Sequence, residues 1–218
     1  MIFRDRIEAA QRLAKALAPY RGKNPLVLAI PRGAVWMGRV LADVLEGELD
    51  VVLVRKLRSP ESPEFAVGAI DESGWAYVAD YAAEVGADQS YLANEKRMQL
   101  ETLRKRRAQY TPARPPADPA GRIAIVVDDG LATGATMIAA LHAVRAKKPA
   151  RLICAIPVAA PDSLAKVAPY ADEMVCVDTP PNFHAVGQFY RDFPQLEDDE
   201  VTALLAQGKD LRSKRASC

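Results

Sequence analysis

The chain has 218 residues, half of them apolar and about a quarter charged, an ordinary composition for a packed globule that excludes wholesale disorder. Twenty-nine Lys and Arg against 28 Asp and Glu leave a formal charge of +1, so no global field points to nucleic acid or to a membrane surface as a partner. Cys154, Cys176 and Cys218 show no short metal-ligand spacing and no apolar run approaches the roughly 18 residues of a membrane span; reduced thiols and a cytoplasmic protein are expected.

Asp5 and Glu8 resemble a capping box, and Ile7, Ala10, Leu13, Ala14 and Leu17 share a helical face that ends near Pro19. Leu26 to Ile30 is an unbroken apolar run stopped by Pro31-Arg32-Gly33, after which Met37, Val40, Leu41, Val44 and Leu45 recur at helical spacing up to Gly47. Asp50 to Val54 repeats the apolar run and stops at Arg55-Lys56. Leu57 to Gly74 carries prolines and glycine without strong periodicity and reads as a long mobile loop. Trp75 to Val78 fits a short strand, Ser90 to Tyr110 a highly charged helix, and Thr111 to Gly121, with four prolines, a connector. Ile123 to Val127 is the next strand, followed by a loop and a helix to Lys148. Leu152 to Val158 is a further strand, Asp162 to Ala168 a short helix, Met174 to Val177 a last central strand, and Glu197 to Ala206 a helix with an acidic first turn.

Apolar runs without alternation, separated by helices, indicate strands covered on both faces. The expected fold is therefore α/β, a mostly parallel central sheet with helices on both faces, in one domain over 1–218. In such sheets ligands bind beyond the carboxyl ends of the strands, so the residues that follow each run are the candidates for chemistry.

The most informative stretch is IAIVVDDGLATGATM, residues 123–137. A strand delivers adjacent carboxylates, Asp128 and Asp129, and the chain then turns through Ala132-Thr133-Gly134-Ala135-Thr136 into a helix N-terminus. Backbone N–H groups, two hydroxyls and the positive end of a helix dipole suit a phosphate. Carboxylates repel phosphate and must serve another part of the same ligand, such as sugar hydroxyls, with magnesium nearby. A sugar phosphate meets both requirements.

Here the chain resembles the type I phosphoribosyltransferases, whose signature is an apolar strand, an acidic pair and a Thr-Gly-x-Thr loop. With RDR, IPRGAVWMG, VVLVRKL, PEFAVGAI and HAVGQFYRDF, it is similar over nearly its whole length to a group of bacterial phosphoribosyltransferase-like proteins of unsettled substrate. The resemblance implies a donor, 5-phosphoribosyl-1-pyrophosphate, with its 5′-phosphate on Ala132 to Thr136 and its ribose on Asp128 and Asp129. It places the pyrophosphate on Arg32, Gly33, Arg55 and Lys56, with Mg2+ held indirectly by the acidic pair through ribose hydroxyls or water. Asp128, Asp129, Arg55 and Lys56 are the expected catalytic group, 57–74 the flap, and 180–218 a C-terminal hood and helix. Phe183, Phe189 and Tyr190 are candidates to stack on an acceptor base.

One departure concerns the acceptor: where 6-oxopurine enzymes carry an acid before Thr-Gly, this chain has Ala132. His184 is a candidate general base; His142 receives no role. Arg104-Lys105-Arg106-Arg107 reads as a solvated helix face. The expected reaction transfers ribose 5-phosphate to a nitrogen nucleophile and releases pyrophosphate. The rival is a sensor that binds the same donor or a nucleotide without turnover; a dinucleotide oxidoreductase lacks its Gly-x-Gly-x-x-Gly. A homodimer stays open.

Overall fold

A computed structural model describes residues 1–62, 65–112 and 115–207. Pro63 in the expected flap, Cys218, and the hood residues beyond 207 lie outside the described residues.

The expected capping forms in its Asp5 half, while Glu8 bonds one residue before the N-cap. Asp5 Oδ1 accepts the Glu8 N–H at 2.8 Å and starts α1 (Arg6–Ala16), while the Glu8 carboxylate reaches back to the Arg4 N–H at 2.7 Å. Next come β1 (Leu26–Ala29), α2 (Ala34–Leu45), β2 (Glu48–Val51), β3 (Val54–Arg58), β4 (Ala66–Asp71), β5 (Ala76–Val78) and α3 (Gln89–Tyr110). The second half runs through β6 (Ile123–Val127), α4 (Ala135–Arg145), β7 (Arg151–Val158), α5 (Pro161–Val167) and β8 (Glu173–Asp178). α6 (Asp198–Gln207) closes the described chain.

β2-β1-β6-β7-β8 form a five-stranded sheet in which every pairing is parallel. Alternate residues serve its two faces, as the pleat requires. Val27, Ala29, Ile125, Val127, Ile153 and Ala155 pack with α1 and α2 through Leu13, Met37 and Leu41. Leu28, Val126, Cys154 and Ile156 pack on the other face against Met137, Ile138 and Leu141 of α4. Burial raises the Cys154 and Cys176 thiols, leaving them as apolar filling.

Three expectations are corrected. The apolar run 50–54 is not one strand: it breaks at Val52-Leu53, where the chain leaves the parallel sheet and reverses into β3, so Arg55 and Lys56 lie inside a strand rather than after one. The segment 57–74 contains β4 and belongs to a second, antiparallel sheet, β3-β4-β5. Its AVGAID run is masked in the sequence because neighbouring prolines and Gly68 signal a loop. β8 is an edge strand, not a central one. Trp75 stacks on His142 of α4 with ring centroids 3.6 Å apart, which binds the small sheet to the large one and accounts for that histidine.

Candidate active site

The chain runs from β1 through α2 to β2 on one side, and from β6 through α4 to β7 and β8 on the other. Since α2 and α4 cover opposite faces, the connections diverge between β1 and β6, and the carboxyl ends of these two strands open the crevice where such sheets bind ligands. Pro31-Arg32-Gly33 follows β1 and Asp128-Asp129 follows β6.

The two segments touch. A Cβ built on Gly33 would lie 2.5 Å from Asp129 Oδ2 and 2.8 Å from Arg6 Nη2; only glycine lets the backbone come this close. Arg6, itself 5% exposed, donates to Asp129 Oδ2 from Nε at 3.0 Å and Nη2 at 2.8 Å. Its Nη1 donates to the Pro194 carbonyl at 2.5 Å, and its guanidinium lies 3.7 Å over the Phe193 ring. Tyr190 donates to the Asp129 carbonyl at 2.6 Å. The N-terminal segment and the hood are thus joined across the acidic pair, helped by the Phe3 N–H bond to the Phe189 carbonyl. Arg6 lies in the RDR segment of the resemblance but was not among the expected site residues, because its contact with Asp129 spans 123 positions.

Burial, and the charge of Asp129 beside it, push the Asp128 carboxyl well above the usual carboxylate range. Burial raises Asp129 too, but Arg6 opposes this, so Asp128 is the member of the pair that more readily keeps a proton. Both feel the Lys56 ammonium, which lowers them.

Beyond the acidic pair, Gly134 takes a left-handed φ of 82° and starts α4. A Cβ there would lie 2.9 Å from Val167 Cγ2. Ala132 and Thr133 are exposed, and Ser163 holds the Ala132 carbonyl from behind. Among the described residues, the N–H groups of Thr133 to Met137 donate to no protein acceptor, which leaves a cradle of donors at a helix N-terminus.

The remaining expected residues are split. Consecutive strand residues face opposite ways: Arg55 turns to α3, where its Nε donates to Gln99 Oε1 at 2.9 Å, while Lys56 is exposed and acts on the acidic pair. Arg32 contacts the segment before α6, at 3.3 Å from Glu197 and 3.4 Å from Gln195. Phe189 and Tyr190 are 5% and 6% exposed and belong to the core. Phe183, half-buried, leans on Phe189 with centroids 5.1 Å apart. Phe189 and Tyr190 therefore cannot offer a ring face to a base, which corrects the hood expectation. His184 is exposed, its N–H held by Gln188. Among the described residues, no three His, Cys, Asp or Glu side chains group as a metal cage.

The phosphoribosyl transferase domain family matches residues 2–194. The chain belongs to that family. Two Mycobacterium tuberculosis proteins, from strains CDC 1551 / Oshkosh and H37Rv, each provisionally named a phosphoribosyl transferase, are 42% identical to it over 205 residues. The match covers 94% of this chain and 46% of theirs, so this chain spans about half the length of those relatives. The crystal structure of TT1426 from Thermus thermophilus is 46% identical, with a TM-score of 0.79, over 95% of this chain and 99% of that one. A hypothetical Neisseria gonorrhoeae protein with bound ppGpp shares the fold at 15% identity and a TM-score of 0.52, over 95% of this chain and 96% of its own. No described helix is long and apolar enough to cross a membrane.

Proposed function

We propose that this chain binds 5-phosphoribosyl-1-pyrophosphate in the crevice between β1 and β6 and transfers its ribose 5-phosphate to a nitrogen nucleophile, releasing pyrophosphate. The observation that carries the proposal is the juxtaposition, at one switch point, of a cradle of N–H groups with no protein acceptor among the described residues and a half-buried acidic pair. The Thr133 to Thr136 loop takes the 5′-phosphate, with Ala132 preceding it, and the Asp128 and Asp129 carboxylates accept the ribose hydroxyls. Arg32, the Gly33 backbone and Lys56 surround the leaving diphosphate, and Arg55 reaches it from the α3 side of β3.

Catalysis then comes from positioning and from neutralising the leaving group as positive charge develops at the anomeric carbon. The acidic pair lies on the sugar side, where its negative field favours that charge. Two hard oxygen donors without a third protein ligand among the described residues fit Mg2+ only when donor oxygens and water complete the shell; Asp128 and Asp129 would hold it in that indirect way. The ion would supply further neutralisation of the diphosphate. The small β3-β4-β5 sheet, backed by α3 and α4, carries Arg55 and Lys56 to the site and takes the place of the flap, shielding the cation from water. Ala132 provides no acid beside the acceptor, so the nucleophile must be competent without a carboxylate at that position.

That missing acid also favours a second reading, a protein that binds the donor without turnover. Exchange of radiolabelled pyrophosphate into the donor, assayed across purines, pyrimidines and small amines, separates the two. Exchange with any acceptor establishes the transferase, and none with any of them assigns the sensor.

A further inference from the structure

The basic run on α3 is three different surfaces. Arg104 and Lys105 are exposed, and Arg107 is turned to Glu72, with Nε at 2.9 Å, and to the Val51 carbonyl. Arg106 belongs to neither. The inward stripe of α3 consists of Glu95, Gln99, Leu103 and Tyr110, and Arg106, three residues after Leu103 and four before Tyr110, falls on it by helical periodicity.

Both neighbours on that stripe lead to cations assigned above to the diphosphate. Gln99 accepts from Arg55. Tyr110 donates to Asp198, next to the Glu197 that contacts Arg32. Arg106 therefore sits on the stripe between Gln99, which holds Arg55, and Tyr110, which leads towards Arg32, and among the described residues its side chain makes no hydrogen bond and no ion pair. Its charge is felt at Arg55, whose pKa is lowered first by burial and then by Arg106, and at Tyr110. Among the described residues Arg55 has Gln99 as its hydrogen-bond partner, and the charge of Glu95, itself held by Arg58, offsets its own only in part. Arg106 thus adds a half-buried guanidinium, without a carboxylate partner of its own among the described residues, to the charge of Arg55; like charges so placed are unfavourable in the free protein, and a multivalent anion relieves the repulsion.

We propose that Arg106 is a further anion ligand of the site, binding the leaving diphosphate together with Arg55 and Arg32. The proposal rests on the donor-site reading above. A guanidinium suits this task because its planar fork pairs two phosphate oxygens at once. α3 then does more than back the small sheet: it carries one of the charges that draws the diphosphate away from the sugar.

Calorimetric titration of the full chain with inorganic pyrophosphate tests this, using wild type, Arg106→Gln, Arg106→Lys and Arg104→Gln. Arg106→Gln should weaken binding about tenfold or more, Arg106→Lys should recover part of the loss, and Arg104→Gln, the same charge change on the solvent side, should stay within about twofold. The unliganded Arg106→Gln protein should melt at or above wild type, since an unpaired cation is gone. Wild-type binding with Arg106→Gln no weaker than Arg104→Gln overturns this proposal alone. Lost binding accompanied by a lowered melting temperature and no rescue by lysine also overturns it, by making Arg106 a packing residue. A wild type that does not bind pyrophosphate overturns the donor-site reading and this proposal with it.

Discussion

Arg6, in the first turn of α1, holds Asp129, at the end of β6, through two hydrogen bonds of 2.8 and 3.0 Å to one carboxylate oxygen. The guanidinium is in turn fixed by Phe193 and the Pro194 carbonyl, so one side chain ties the N-terminus, the acidic pair and the hood together. Removing one partner of a buried ion pair costs about 3–5 kcal/mol. The Asp129 side chain keeps 18% exposure, which places Arg6→Met at the lower end, about 3 kcal/mol. Asp129→Leu in the same chain should restore most of the loss, because no charge is then left unpaired. Urea denaturation of the two single variants and the double variant measures this; strict additivity would show that the pair is not coupled.

Asp128 should oppose folding at neutral pH. Its folded-state pKa is raised above the ordinary 3.8, so the native chain retains a proton that the unfolded chain has released. The stabilisation from the protonated form is fully present below pH 3.8 and is lost as pH rises through the folded-state value. Asp128→Asn removes that dependence. Thermal melts from pH 4 to 8 should show the variant above wild type at neutral pH, by about 2–4 °C per kcal/mol recovered, with a flatter profile. Two parallel profiles would contradict the assignment of burial as the cause.

The contact of Arg32 with Glu197 is exposed, with 29% and 73% of the side chains accessible, and its length is 3.3 Å. Such pairs contribute about 0–1 kcal/mol, so Glu197→Gln should leave stability nearly unchanged. It also removes a carboxylate that competes with phosphate for Arg32, and pyrophosphate affinity should tighten by about two- to fivefold. Weaker binding in this variant, read by the same calorimetry, would mean that Glu197 orients Arg32 rather than competing for it.

Gly134→Ala places a side chain at φ 82°, which costs about 1–2 kcal/mol, and drives the new methyl into Val167. A fall in melting temperature of about 2–8 °C is expected, with a larger proportional loss of donor binding because the phosphate N–H groups move with the loop. Intact donor affinity would place the 5′-phosphate elsewhere.

The parts of the site that depend on local sequence were legible, and those that depend on tertiary contacts were not. Ile123 to Thr136 is self-contained: an apolar strand, two acids and a glycine turn follow one another, and they lie together at the switch point because the topology of the sheet leaves them there. Arg55 and Lys56 stand out as a basic pair but not as strand residues, since the apolar residues on both sides of Val52-Leu53 conceal the point where the chain changes sheets. β4 was hidden by Gly68 and the nearby prolines, residues that signal turns but are tolerated in a short strand of a small sheet. Periodicity alone could have separated Arg106 from Arg104 and Lys105, because Gln99, Leu103 and Tyr110 set the buried face of α3. The RDR segment contains Arg6 but does not say what it touches, and the burial of Phe189 and Tyr190 depends on the N-terminal segment that packs over them through Phe3.

If one crevice binds the phosphoribosyl donor through both the loop at Thr133 to Thr136 and the acidic pair, donor affinity must depend on both. Calorimetric titration of 5-phosphoribosyl-1-pyrophosphate with Mg2+ into wild type and Asp128→Asn is the decisive measurement. Saturable, magnesium-dependent binding at one site per chain is expected, weakened at least about tenfold in the variant. Wild type without binding, or a variant that binds the donor as tightly as wild type, would contradict it.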